Sequence, residues 1–109
     1  MSNWIDLGHD HAYSYSQWAP DRELNPQYDG IPDIPRCGVL VSHFKPGTTH
    51  ECMGFIYFNT PEVRAMRSIT NDQYPMWDLL SYEPLHVEPS LACVCGDHGF
   101  IRDGKWVPA

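Results

Sequence analysis

GVLVSHF, residues 38–44, and CMGFIYF, residues 52–58, are two short runs of β-branched and aromatic residues. That composition fits a pleated, half-buried surface. Between them Lys45-Pro46-Gly47-Thr48-Thr49 reads as a turn. The two runs therefore predict an antiparallel hairpin, and the rest of the chain extends it. Thr60-Pro61-Glu62 reads as a helix start, with Thr as cap, Pro in the first turn and Glu at the positive end of the dipole. The helix is expected over 61–67. WDLLSY (77–82) reads as a third strand, with a short helix as the alternative. Residues 85–91 are extended, interrupted by Pro89. Near the C-terminus Asp103-Gly104 stands between the apolar runs Gly99 to Arg102 and Lys105 to Val107, a strong short-range hairpin signal. Trp4 to Leu7 reads as an edge strand, and Tyr13 to Ser16 alternates with period two, as a half-buried strand does. The expected fold is mainly β, a small α+β domain: an antiparallel sheet, one short helix and a zinc-ribbon-like C-terminal hairpin.

Residues 19–36 interrupt this pattern with Pro20, Pro26, Pro32, Pro35 and Gly30. A hydrogen-bonded ladder cannot run through that spacing of prolines. The segment reads as an ordered loop pinned by Tyr28, Ile31 and Ile34, either functional or a plain excursion. At 109 residues the chain is expected to form one domain, 1–109, with a modest core that gains from a staple.

Fourteen acidic and seven basic residues give a net charge of −7. Phosphate neutralisation needs the opposite sign, so no nucleic-acid partner is expected. No apolar run approaches the roughly 20 residues of a spanning helix, so no membrane partner is expected either. Residues 1–10 lack the basic and apolar regions of a signal peptide. A cytoplasm is the expected compartment, and there clustered cysteines read first as metal ligands.

Two clusters of such ligands stand about 40 residues apart: His50-Glu51-Cys52 and Cys93-Val94-Cys95-Gly96-Asp97-His98. Cys95 and His98 have knuckle spacing, with Gly96 where the backbone must turn. On an extended strand His50 and Cys52 point to the same face. Structural zinc takes four tetrahedral nitrogen and sulfur ligands. The expected set is His50, Cys52, Cys95 and His98; Cys93 is left out because Cys95 and His98 form the better knuckle, and it is the residue that would displace one of the four. Four protein ligands leave no position for water, so the zinc is expected to be structural. Cys37, standing alone, reads as a small buried hydrophobe.

His9-Asp10-His11 has the form of a second metal pair, but no supporting carboxylates stand at suggestive spacing, and a polar turn is the simpler reading. Asp97 reads either as a turn residue or as a hydrogen-bond partner of a ligating histidine. No phosphate-binding loop or nucleophile elbow is present. Trp77, Trp106, Phe100 and Tyr57 read as core. Trp4, Trp18 and Tyr28 read either as a clasp over the sheet or as a protein-binding anchor set.

The segments Glu88-Pro89-Ser90, Cys95-Gly96-Asp97-His98-Gly99-Phe100-Ile101 and Asp103-Gly104-Lys105-Trp106 resemble the end of a family of small bacterial and phage proteins of unknown function. Some of these are encoded beside bacterial ubiquitin-like conjugation genes. His50-x-Cys52-x-Gly54 occupies the place of that family's Cys-x-Cys-Gly-like element, with His for the first Cys. The resemblance covers about the last 20 residues and, more weakly, 50–58. A chain this rich in Trp, Tyr and Pro is similar to the version carried by actinobacterial phages. The resemblance implies a fold and a metal, not a reaction. The functional expectation is a phage or mobile-element accessory factor, non-enzymatic, that binds a host or phage protein. The alternatives are a small metal-dependent enzyme using His9, Asp10, His11 and Cys93, and a virion component.

Overall fold

In the computed structural model, residues 4–44 and 47–109 are described. The Lys45-Pro46 half of the predicted turn lies outside them, as do the first three residues of the segment read for a signal sequence. The strands are β1 (Ile5–Gly8), β2 (His11–Trp18), β3 (Ile34–Phe44), β4 (Glu51–Phe58), β5 (Met76–Tyr82), β6 (Leu85–Ala92), β7 (His98–Arg102) and β8 (Lys105–Pro108). They neighbour one another in chain order. Every pairing is antiparallel except β4 with β5. β1 returns beside β8, so the sheet curls almost into a barrel. The expected mainly β fold is what the chain adopts. Among the described residues no helix is long and apolar enough to cross a membrane.

Turn chemistry explains the hairpins. His9 and Asp10 both take positive φ between β1 and β2, and Asp103 and Gly104 do so between β7 and β8. Paired positive φ values give the turn whose twist matches that of the flanking strands. β3 and β4 pair in register from Gly38 opposite Tyr57 to Phe44 opposite Glu51. β3 begins at Ile34, inside the segment read as loop. Pro35 is tolerated there because β4 reaches only as far as Gly38, and the β2–β3 ladder shifts register between Ser16 and Trp18. Prolines settle at such edges and bulges. The remaining loop is ordered by Arg22, which donates to the Ile31 carbonyl and to Asp33, and by a short 3-10 turn at Pro26–Tyr28.

The barrel interior holds Leu7, Tyr13, Val39, Val41, Ile56, Phe58, Leu85, Val87, Ile101 and Trp106. Strand alternation explains this set, since every second side chain faces inward. Outside the barrel α1 (Pro61–Thr70) buries Val63 and Met66 against Ile34 and Cys37. Cys37 is thus the buried small side chain expected of it. The helix runs one turn past the expected Arg67 and stops at Asn71, which takes the left-handed conformation. Its start is as read: the Thr60 hydroxyl accepts from the Val63 N–H.

The α1 crossover makes β4 and β5 parallel, but they pair only at Tyr57 with Met76 and Phe58 with Trp77. Ahead of that point the edge of β4 facing β5, residues 51–56, has no strand against it among the described residues. The two halves of the sheet, β1–β4 and β5–β8, are joined along this seam by those two pairs.

Candidate metal centre

One end of the barrel gathers histidines and cysteines by strand register. His11 of β2 pairs with His43 of β3, and His43 pairs with Cys52 of β4. All three have the inward parity of Tyr13, Val41 and Ile56, so they form one row across three strands. The turn between β6 and β7 completes the end from the opposite half. It closes on itself through the Cys93 N–H to Asp97 carbonyl bond and the Gly96 N–H to Cys93 carbonyl bond. Gly96 has φ +98, a conformation glycine adopts without strain. That turn brings Cys93 and Cys95 to one point.

The ligand atoms of His43, Cys52, Cys93 and Cys95 all lie within 4.8 Å of one another. Nε2 of His43 is 3.3 Å from Sγ of Cys95. Zinc–sulfur bonds of about 2.3 Å and zinc–nitrogen bonds of about 2.0 Å at tetrahedral angles put ligand atoms roughly 3.5–3.8 Å apart. Three sulfurs and one imidazole at these spacings fit one ion. They could hold a metal with no coordination position left over.

Cys52 and Cys95 of the expected set are therefore together, but with Cys93 and His43 rather than with His50 and His98. His98 lies on β7, where Gly99 is buried and Ile101 faces the core. Alternation turns His98 outward, where its Nε2 meets the Ser90 hydroxyl at 2.9 Å. His50 precedes β4 on the exposed approach to the strand, its N–H held by the Thr48 hydroxyl. His43 was missed because it stands inside a run that reads as a plain strand. Its signal was the hairpin register, which sets it opposite Cys52.

A second layer surrounds the four. His11 is 5% exposed and His43 7%. The His11 ring stacks between the Trp106 indole, at 3.9 Å, and the His43 ring, at 4.9 Å. Its Nδ1 faces the His9 carbonyl at 2.6 Å, and its Nε2 faces Asp97 Oδ2 at 2.7 Å. A carbonyl only accepts, so Nδ1 carries a proton. Asp97 Oδ2 also lies 3.8 Å from His43 Nε2, and His11, His43 and Asp97 themselves form a compact group. His9 and Asp10 are exposed turn residues.

The electrostatics separate the thiols. The His43 ring, the Asp97 N–H and the neighbouring thiols lower Cys95 to about 7. Burial and the nearby Cys95 and Cys93 sulfurs push Cys52 up to about 11. Cys95 is thus the thiol most readily ionised near neutrality, and Cys52 would have to give up its proton to ligate an ion.

Comparison of the chain with family models, with curated proteins and with solved structures gave no match in any of the three.

Proposed function

We propose that this chain is a zinc-stabilised, non-enzymatic binding module whose barrel is held shut at one end by a structural zinc ion. The observation that carries the reading is the convergence of His43, Cys52, Cys93 and Cys95. Three thiolates and an imidazole suit zinc, and four protein ligands leave it no open position for substrate or water. His43 and Cys52 belong to one half of the sheet and Cys93 and Cys95 to the other. The ion therefore bridges the seam where β4 and β5 pair over only two residues. His9 and Asp10, which an enzyme would recruit, are exposed in a turn, and His11 is occupied by Asp97 and the His9 carbonyl. The acidic surface and the C-terminal resemblance to phage-borne proteins support an accessory role on a host or phage protein in a bacterial cytoplasm.

The test is metal analysis of the purified chain, with cobalt substitution. One zinc per chain and an intense tetrahedral cobalt spectrum with thiolate charge-transfer bands are expected. A chain that folds without metal and takes up no cobalt would sink the reading.

A further inference from the structure

The seam where β4 and β5 pair so briefly has a shape and a chemistry of its own. Beside the unpaired edge of β4 lies a cleft of about 270 Å³, lined by Val41, Met53, Ile56, Trp77, Leu91 and Trp106. Its far wall is the end of β6, where Leu91 and Ala92 pair with β7 on one side only. β5 begins too late in the chain to fill the gap. The Trp77 indole N–H takes the Ser90 carbonyl in its place. The metal cluster closes one end through His43, Cys93 and Asp97.

Gly54 lies in the middle of this cleft. It faces inward by register, opposite Val41, and yet is exposed. A Cβ built on it meets nothing within 4 Å. An inward position of a barrel strand is normally filled by packed side chains. Here the space above Gly54 stands open to a side chain brought from outside.

Carboxylates stand about the cleft. Asp97 lines the metal end beside His11, and Glu51 stands at the exposed start of β4, accepting from the Ser42 hydroxyl. Asp72 lies beyond Tyr74 at the other end, with the Arg67 guanidinium on the Tyr74 carbonyl next to it. Hydrogen bonds from the Tyr74 N–H and the Tyr57 hydroxyl, with the nearby Arg67 guanidinium, lower Asp72. No Lys or Arg lines the cleft among the described residues. Zinc with three thiolates and a neutral imidazole adds one net negative charge.

We propose that this cleft receives an extended peptide segment of a partner protein, basic and apolar in alternation, which adds to the free edge of β4 and sets an apolar side chain over Gly54. An exposed edge is a template for strand addition, with backbone bonds giving affinity and pockets for alternate side chains giving specificity. The six residues 51–56 offer about 20 Å of strand. A cleft lining with Asp97 and without Lys or Arg, on a chain of net charge −7, favours a cationic partner. This inference rests on the binding-module reading and names the chemistry of its partner.

The test uses the full, zinc-loaded chain and two synthetic peptides, acetyl-KVKVKVK-amide and acetyl-EVEVEVE-amide. Binding is read by tryptophan fluorescence and by amide hydrogen exchange. The lysine peptide is expected to bind at least roughly tenfold more tightly than the glutamate peptide, and to slow exchange across 52–56 about tenfold. Gly54→Leu is expected to weaken binding about tenfold or more, and Gly54→Ala by less, with zinc content unchanged in both. Absent binding, equal binding of the two peptides, or unaltered exchange at 52–56 would overturn the proposal. So would full binding by Gly54→Leu, or β4 protection in the free chain that grows with concentration, which would assign the edge to a second copy. Zinc content measured on the same samples separates the two readings: one zinc per chain with no peptide bound removes the docking site alone.

Discussion

His43 and Cys52 are cross-strand partners on the inner face of the β3–β4 hairpin, with the register running unbroken from Gly38 opposite Tyr57 to Phe44 opposite Glu51. Half of the candidate metal centre is thus a property of one hairpin. The other half, Cys93 and Cys95, is a property of one turn. The two meet across the seam of the barrel.

This division predicts which substitutions matter. His43→Ala and Cys93→Ser should abolish stoichiometric zinc, whereas His50→Ala and His98→Ala should keep it. Stabilisation by an ion at a thousand times its dissociation constant is about 4 kcal/mol, or roughly 15 °C or more in Tm for a chain of this size. Chelation of the wild type should lower Tm by at least that much. Thermal melts with and without chelator, beside metal analysis of the four variants, check this. Zinc retained by His43→Ala but lost by His50→Ala would reverse the assignment.

Zinc affinity should rise with pH. Metal-free Cys52, at about 11, holds its proton through neutrality and loses it on binding, and Cys95 adds a second proton below its value of about 7. The metal-free chain binds more protons than the loaded one, so acid favours release. Titration in buffers of different ionisation enthalpy should find at least one proton released per zinc at pH 8, and more at pH 6. Proton release that does not grow between pH 8 and pH 6 would contradict these assignments.

Asp97 and His11 should tune the site without being ligands. The Asp97 carboxylate links His11 to the turn that carries Cys95. Loss of such outer partners typically costs metal affinity 10–100-fold. Asp97→Asn and His11→Ala should each weaken zinc by about that factor in a chelator competition, with a tetrahedral cobalt spectrum preserved. If either variant loses the thiolate charge-transfer bands altogether, the residue is structural to the turn and does not act through the ligands alone.

Gly99→Ala should disturb the centre from a distance. A Cβ at Gly99 would stand 2.5 Å from the Trp106 ring, which lies over β7 and stacks on His11. Overpacking of this kind costs about 1–3 kcal/mol. Gly54→Ala, in open space, should cost far less. Denaturant midpoints of the two variants test the contrast, and equal losses would refute it.

Most of the architecture could be read from the residues because its signals are local. Asp103-Gly104 and Thr60-Pro61 each carry their geometry in a few atoms, and the β runs announce themselves by composition. The ligands divide differently. Cys52 and Cys95 were legible, and Cys93 was in view as the residue that would displace one of the four; His43 depends on parity and register. Spacing along one strand favoured His50, while pairing between strands supplied His43. Knuckle spacing favoured His98, but β7 begins at that residue and alternation turns it outward. The seam was not legible at all, because nothing in the runs themselves says that β5 joins β4 over only two residues.

The split of the centre between a hairpin and a turn also sets an order in time. Each half closes through contacts near in sequence, and hairpins form in about 1–10 μs. The union of the halves joins Cys52 to Cys93, 41 positions apart, and must offset the entropy of closing that loop. An ion held by both halves would make this slow, non-local step favourable. On the proposed zinc reading, zinc availability during synthesis would govern when the last part of the molecule locks, as well as how firmly it stays locked.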